Sequence, residues 1–248
     1  MANIMRTSNP VLNEKAFKGQ VAVGEAMTLQ GTVNKTGLLL LLVVVPAAWT
    51  WGLSHSDTPG AAVPWMIGGL LGGFIMALVT IFKQSWSPIT APIYAILEGL
   101  ALGGISAVFE KAYPGVAIQA VGLTFGVLFI MLLAYKSGMI RATQGFKIGV
   151  IAATGGIALL YLVEMILGGF FHIAVPAING SGFWGIAFSL FVVIIAALNL
   201  VLDFDLIETG VQMGAPKYME WYGAFGLMVT LIWLYLEILR LLAKARRR

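Results

Sequence analysis

The chain alternates between seven long apolar runs and short polar segments. Each run approaches the ~20 residues that an α-helix needs to cross the hydrocarbon of a bilayer. Apolar residues follow one another without the alternation of membrane-spanning strands, so helices are predicted. The first run is short and contains Pro46, for which a kink or little tilt is expected. The predicted helices cover residues 36–53, 63–82, 89–109, 116–135, 148–170, 183–202 and 219–242.

Composition indicates that lipid, and not water, is the solvent for most of the chain. Hydrophobic residues make up 59% of it and charged residues only 10%, whereas soluble domains carry roughly 25% charged residues. Cysteine is absent, which excludes disulfides and thiolate chemistry. His55 and His172 fall between apolar runs, so a buried histidine metal cluster is not expected. No nucleophile and base stand together, so we predict no enzyme activity and no cofactor. The basic residues Arg246–Arg248 are better explained as an anchor to lipid headgroups, so no nucleic-acid partner is predicted.

The predicted helices are joined by short segments rich in turn-forming residues, and no linker separates domains. We therefore predict one all-α, polytopic bundle of seven transmembrane helices. A polar N-terminal arm of residues 1–35 precedes the bundle of residues 36–243, and a basic tail of residues 244–248 follows it. The arm lacks the early apolar core of a signal peptide, so we expect it to be retained.

Lysine and arginine predict the orientation, since basic residues concentrate in cytoplasmic segments. With a cytoplasmic N-terminus and seven crossings, the outer loops hold only Lys111, while the basic tail lies outside. Alternatively, the last run re-enters the membrane and returns, because enclosed non-helical backbone is tolerated there. With seven crossings, the basic residues on the inner side are Arg6, Lys15, Lys18, Lys35, Lys83, Lys136, Arg141, Lys147 and Lys217.

Carboxylates within the predicted helices are the candidate functional groups, because an ionised acid at mid-bilayer costs at least ~2.5–3.5 kcal/mol. Glu98 lies near the middle of the third run and is either a hydrogen-bonded structural group or a proton-sensing group of a pathway. Glu164 and Glu237 lie toward the outer ends of their runs. They either extend to the headgroups or share an outer vestibule, and Glu237 can pair with Arg240 three residues later.

The inner end of the sixth run carries the densest group of polar residues. Asn199, Asp203 and Ile207 share one helical face at four-residue spacing, which predicts a polar face turned toward the bundle. Asp205 points elsewhere and stands three residues before Glu208. For these acids the alternative is the polar end of a helix at the interface.

Glycines at helical spacing predict close helix packing. The alternative interpretation is a glycine-lined pore. Three pairs of glycines stand four residues apart: Gly68 and Gly72, Gly69 and Gly73, Gly99 and Gly103.

The end of the sixth run resembles the Bax inhibitor family, the YccA-like proteins with the transmembrane BAX inhibitor motif. Residues 202–207 (Leu-Asp-Phe-Asp-Leu-Ile) fit the motif with Asp203 on its aspartate, and a turn with Gly214 and Tyr218 follows. Residues 234–242 fit the leucine-rich end of the family's last helix. Residues 6–12, 94–100 and 221–227 are similar to a bacterial branch with a longer N-terminal arm.

The resemblance implies a seven-helix fold with the last helix central, in a bacterial inner membrane. It also implies a pH-sensitive calcium leak channel, in which an aspartate of helix six and one of helix seven share a proton and close the pore. Asp203 carries over as the first member. The second falls at Thr230 or Met228, and neither is acidic, so Thr230 is the remaining hydrogen-bond partner. Asp205 is either a substitute partner or part of a cation-attracting ring.

Two functions follow from these residues and from the resemblance. The first is a cation leak channel, for calcium in the manner that the resemblance implies, with lipid and cations as its partners and with these residues along the ion pathway: Asp203, Asp205, Thr230, Asn199 and Glu98. The second is a non-enzymatic regulator of a membrane AAA protease or of a stress response, with the arm of residues 1–35 presented to the partner.

Overall fold

A computed structural model describes residues 25–56, 60–171 and 180–247, and this part of the chain folds into a bundle of seven long helices. Each helix is long and apolar enough to cross a membrane, which confirms the predicted fold class. A short 3₁₀ helix, Gln84–Trp86, precedes α3. The seven are α1 Leu29–Ser54, α2 Val63–Phe82, α3 Ser87–Ala112, α4 Val116–Lys136, α5 Gln144–Phe171, α6 Phe183–Gln212 and α7 Met219–Arg246.

The first and last helices extend beyond their apolar runs. Helix α1 begins at Leu29 and not at residue 36, because Thr28 caps it by accepting a hydrogen bond from the Gly31 amide. Pro46 lies inside α1 without ending it, and with 26 residues this helix is not short. Helix α7 is continuous to Arg246, so the end of the predicted arm and the start of the predicted tail are helical. Residues 1–24 of the arm, His172 and Arg248 lie outside the described residues.

Helix α7 is the most deeply buried of the seven helices. It packs along α1, α3, α4 and α6, whereas α2 packs mainly on α3 and α5 mainly on α6. The last helix is therefore central, as expected, although four neighbours rather than six form most of its surroundings. At 28 residues and ~1.5 Å per residue, α7 is about 42 Å long, which is enough to cross a bilayer without re-entry.

Glycines allow α1, α2 and α3 to approach at backbone distance. A Cβ on Gly69 of α2 would lie 2.5 Å from the Leu97 carbonyl oxygen of α3, and a Cβ on Gly99 of α3 would lie 2.4 Å from the Val43 carbonyl oxygen of α1. Gly103 meets the Ala47 carbonyl oxygen in the same way. The packing interpretation is therefore confirmed at these three positions.

The remaining glycines of the predicted pairs are less tightly enclosed. Gly73 faces the Glu98 side chain and Gly72 faces the Leu97 side chain, while Gly68 has no neighbour within 4 Å of a built Cβ. The close approach thus depends on one face of α2 and not on every glycine in it.

Contacts between helix ends show which of these ends lie together on each side of the bundle. At one end, the Ser87 hydroxyl donates to the Tyr218 carbonyl oxygen at 3.0 Å. At the other end, Arg246 donates to the Pro114 carbonyl oxygen, and Lys244 donates to the Gly185 carbonyl oxygen at 3.3 Å. We call them the predicted inner end and the predicted outer end, after the orientation that the basic residues favour.

Candidate functional site

The acids that close the sixth apolar run lie inside α6, which continues to Gln212. Asp203 is completely buried. Asp205 is partly exposed, and Glu208 lies at the surface, where it accepts a 2.5 Å hydrogen bond from the Tyr135 hydroxyl of α4. Asp205 and Glu208 have partners on α5 and α4, so these acids lie in contacts of α6 with neighbouring helices and not in a loop.

Asp205 forms an ion pair with Lys147 near the start of α5. The Lys147 Nζ atom lies 2.6 Å from Asp205 Oδ2, and the lysine side chain is only 7% exposed. A buried cation of this kind requires an opposite charge. The pair therefore ties the inner end of α5 to α6, which gives Asp205 a partner that the sequence did not indicate.

Asn199 forms the next polar contact between α5 and α6. Its buried side-chain amide donates to the Thr154 hydroxyl at 2.9 Å and to the Ile195 carbonyl oxygen at 2.8 Å. The predicted polar face of α6 thus turns toward α5 at Asn199. Thr154 was not identified from the sequence, because a threonine in an apolar run gives no signal of its own.

Asp203 and Thr230 both lie in the buried part of the bundle, on two helices that pack against each other. Asp203 is 0% exposed on α6 and Thr230 is 4% exposed on α7. Met228, the other position that the motif indicates, is also fully buried in α7. Whichever register the motif takes, the second position therefore faces the interior, as a gate partner would.

An apolar layer lies beyond Asn199 along the same helices. Ile157 of α5 packs with Val192 and Ile195 of α6, and Trp233 of α7 packs against this cluster. All three aliphatic residues are buried. The layer separates the polar residues at the predicted inner end from a second polar cluster beyond it.

The second cluster surrounds Glu237 of α7 toward the predicted outer end. Both Glu237 oxygens accept hydrogen bonds from the Tyr161 hydroxyl of α5 at 3.0 Å. Arg240 pairs with Glu237 at 3.0 Å, and its guanidinium group lies 5.3 Å from the centre of the Tyr161 ring. The expected local pair of Glu237 and Arg240 is therefore present, together with a tyrosine that the sequence did not single out.

Lys244 extends this outer cluster. Its ammonium group donates to the Ser189 hydroxyl of α6 at 2.7 Å. The carboxylates of Glu164 and Glu237 are both close enough to interact with its charge. Lys244 thus interacts electrostatically with both glutamates of the predicted vestibule.

Glu98 lies elsewhere, at the contact of α2 and α3. Its carboxyl group lies beside the Tyr94 hydroxyl one turn earlier, and it touches the space above Gly73 of α2. The Tyr94 ring in turn meets the Phe225 ring of α7 edge-on at 4.9 Å. Glu98 is therefore not among the residues that line the contacts of α5, α6 and α7. Its contacts with Tyr94 and Gly73 favour the interpretation of Glu98 as a hydrogen-bonded structural group.

Glu220 is the main charged residue that the sequence did not identify. It is completely buried in the first turn of α7, where Lys35 and Lys217 pair with it. Apolar patterning gave no signal for it, because it stands at the rim of the last run and its partners are distant in sequence.

A cavity of about 420 Å³ lies at the predicted outer end between α1, α2 and α3. Its walls are mostly apolar and include Ala62, Met66 and Val108, with His55 and Lys111 also lining it. It lies apart from the polar clusters of α5, α6 and α7. Among the described residues, no three histidine or acidic side chains come together as a metal site.

Comparison with known proteins gives one match. The sequence model of the family described as Bax inhibitor 1 like matches residues 9–247, which is nearly the whole chain. No curated protein and no solved structure matches the chain significantly.

Proposed function

The chain belongs to the Bax inhibitor 1-like family, and we propose that it is a pH-sensitive leak channel for cations, with calcium as the leading ion. One observation carries the proposal. Polar, apolar and polar layers follow one another along the contacts of α5, α6 and α7, from Asp205 at one end to Glu237 at the other. We call these contacts the polar seam.

The inner part of the polar seam supplies oxygen atoms of the kind that hard cations prefer. Asp203, Asp205 and the Thr154 and Thr230 hydroxyls lie on the facing helices α5, α6 and α7. A permeating ion that is bound by a few oxygens at a time can enter and leave again, as conduction requires. A resident metal site is therefore not needed for this function.

The apolar layer of Ile157, Val192 and Ile195 acts as the closed barrier, since a dry constriction excludes ions. Opening requires α5 to move away from α6. Helix α5 is the least buried of the seven helices and packs mainly on α6. It is thus the helix whose displacement disturbs the fewest contacts.

The ion pair of Asp205 and Lys147 supplies the pH dependence. Loss of the negative charge of Asp205 leaves the buried lysine without its partner, so the inner end of α5 loosens from α6. Tyr135 of α4 and Glu208 of α6 are further titratable groups near this pair. Acidification is therefore expected to raise the flux.

The test is calcium flux into liposomes that contain the purified protein, recorded from neutral to acidic pH. Wild type should leak above empty liposomes, with more flux in acid. Asp205→Asn should leak at neutral pH as wild type does in acid, and Asp203→Asn should alter the flux or its pH profile. Glu98→Gln is the control and should leave the profile unchanged. No leak above empty liposomes, or identical profiles for all four proteins, would refute the proposal.

A regulatory function is the second candidate, and the position of Met27, near the end of the arm, favours it. The Met27 amide donates a hydrogen bond to the Ala215 carbonyl oxygen in the turn between α6 and α7, so a partner that holds the arm has a direct connection to the bundle. A membrane-bound protease is the proposed partner. Removal of residues 1–24 should abolish co-purification of that protease while any flux persists. Co-purification that survives the deletion would count against this candidate.

A further inference from the structure

The backbone just before α1 is attached to the turn between α6 and α7. The Met27 amide donates to the Ala215 carbonyl oxygen at 2.7 Å, and Ala26 forms an antiparallel bridge with Pro216. The Met27 side chain is 2% exposed. We call residues 25–28 the strap. It is a short piece of extended chain that is held by backbone bonds and by a buried anchor.

Glu220 at the start of α7 fixes the strap from the other side. Its Oε1 atom accepts hydrogen bonds from the Thr28 amide at 2.8 Å and from the Thr28 hydroxyl at 2.7 Å. Its Oε2 atom pairs with Lys35 of α1, while Lys217 approaches Oε1 at 3.4 Å. One completely buried carboxylate thus joins the strap, α1 and the turn before α7.

The beginning of α1 is adapted to this carboxylate. A negative charge at a helix N-terminus is stabilised by the helix dipole and by free amide groups. A Cβ on Gly31 would lie 2.2 Å from Glu220 Oε1, so only glycine leaves room for the carboxylate at this position. Because removing one partner of a buried pair is costly, the contact favours a single arrangement of α1 and α7.

The strap lies at the joint between α6 and α7, two of the three helices that form the polar seam. Helix α6 with Asp203 ends at Gln212, and α7 with Thr230 begins at Met219. Gly214 in the turn between them has φ +66°, a conformation that favours glycine. Any shift of the strap acts on this turn, and hence on the relative position of α6 and α7.

We propose that the strap and Glu220 form a coupling device through which the N-terminal arm sets the position of α6 and α7. Glu220 is a positioning residue and does not line the ion path. With the strap docked, the start of α7 is held and the polar seam stays closed. A partner that draws the arm away releases the strap and opens the seam. The flux part of this inference rests on the proposed channel function.

A disulfide between strap and turn tests the device without removing any of its groups. The chain has no cysteine, so Ala26→Cys with Pro216→Cys introduces one pair only. Facing residues of an antiparallel pair have Cα atoms ~4.5–5.5 Å apart, within the ~4.4–6.8 Å that disulfides span. Ala26→Cys alone is the matched control, because it meets the same oxidant and cannot form the bond within one chain.

Two variants should release the strap from the turn: Glu220→Gln and deletion of residues 1–27. Deletion of residues 1–24 is the control, because it retains the strap. Coupling between sites in proteins commonly amounts to about fivefold or more, so both release variants should raise the flux at least about fivefold. Oxidation of the cysteine pair in the Glu220→Gln background should return the flux to the wild-type level. Deletion of residues 1–24 should leave the flux unchanged.

Amide hydrogen exchange in residues 208–218 gives a readout that does not depend on flux. Release should speed exchange there, and the disulfide should restore protection. If release speeds exchange and the disulfide reverses this change, but the protein shows no flux, the coupling device is supported and the channel function is refuted. If neither release nor the disulfide alters the flux, and exchange is also unchanged, the coupling device is refuted while the channel function is retained.

Discussion

The two halves of the bundle hold together by different means. Between α1, α2 and α3, glycines bring backbones so close that a single Cβ on Gly69 or Gly99 has no space. Between α5, α6 and α7, apolar contacts are accompanied by ion pairs and hydrogen bonds between long side chains, such as Lys147 with Asp205 and Tyr161 with Glu237. The first half is close-packed by shape, and in the second half hydrogen bonds and charges add to the apolar packing.

This difference separates a scaffold from a part that can move. Backbone packing through small residues has one good geometry, because any shift opens a gap or causes a clash. Polar contacts in a membrane are worth only ~0.6–1.7 kcal/mol each, and protonation or water can replace them. A conformational change is therefore expected in the half that contains α5, while α1, α2 and α3 stay fixed.

The largest effect is expected from Gly69→Ala in the scaffold half. The added Cβ would lie 2.5 Å from the Leu97 carbonyl oxygen and 2.8 Å from the Ala101 nitrogen, so α2 must move away from α3. Because both atoms belong to the backbone and cannot turn away, the cost should exceed about 3 kcal/mol, the upper end of the usual range for overpacking. Gly68→Ala, one residue earlier on α2, is the control, since its Cβ meets nothing within 4 Å. Melting temperatures in detergent should fall only for Gly69→Ala, and equal values would contradict the comparison.

The next effect is expected where α5 is tied to α6. Asp205→Leu leaves the buried Lys147 without its carboxylate and should destabilise the protein by about 3 kcal/mol. Lys147→Met together with Asp205→Leu should recover most of this loss, because no buried charge remains. Unfolding in denaturant measures both variants. A double variant that is as unstable as Asp205→Leu would show that the ion pair does not hold α5.

A smaller effect is expected from Thr154→Val on the same pair of helices. The substitution removes the hydroxyl that accepts the 2.9 Å hydrogen bond from Asn199, while the side-chain shape is kept. The expected loss is about 1 kcal/mol, with faster hydrogen exchange in α5 than in α2. Exchange that changes equally in both helices would remove the distinction between the two halves.

The smallest effect concerns Lys217, which lies in the turn before α7. Its hydrogen bond and ion pair with Glu220 raise the Lys217 pKa above the usual value of 10.5. Because the folded state holds the proton more tightly, the stabilisation is present below pH 10.5 and is lost as pH rises through the raised value. Lys217→Gln should therefore melt slightly lower than wild type at pH 8. A difference that does not shrink at higher pH would contradict this assignment.

The apolar and glycine patterns were sufficient for the seven helices and for the close packing at Gly69, Gly99 and Gly103, while the central last helix was implied by the family resemblance. Apolar runs report helices directly, and glycines at four-residue spacing report close approach. The start of α1 was missed by seven residues, from 36 to Leu29, because its first turns carry polar residues. They are stable there because Glu220, 185 residues distant from Lys35, supplies the matching charge.

The candidate site was only partly accessible from sequence. Asp203, Asn199 and Asp205 stood out as polar groups at the end of an apolar run. Their neighbours Lys147 and Thr154 did not, since which faces of α5 and α6 meet depends on packing across the bundle. Glu98 was grouped with the other membrane acids by its depth alone, although it lies against Gly73 in the other half.

Thiol labelling of two adjacent residues on α5 tests most directly whether ions pass along the polar seam. Thr154→Cys places a thiol in the seam, whereas Gly155→Cys faces open space beside the same helix. In liposomes at acidic pH, a cationic thiol reagent should block calcium flux in Thr154→Cys and leave Gly155→Cys unaffected. If flux persists after complete labelling of Thr154→Cys, or if both variants are blocked equally, the ions do not take this path.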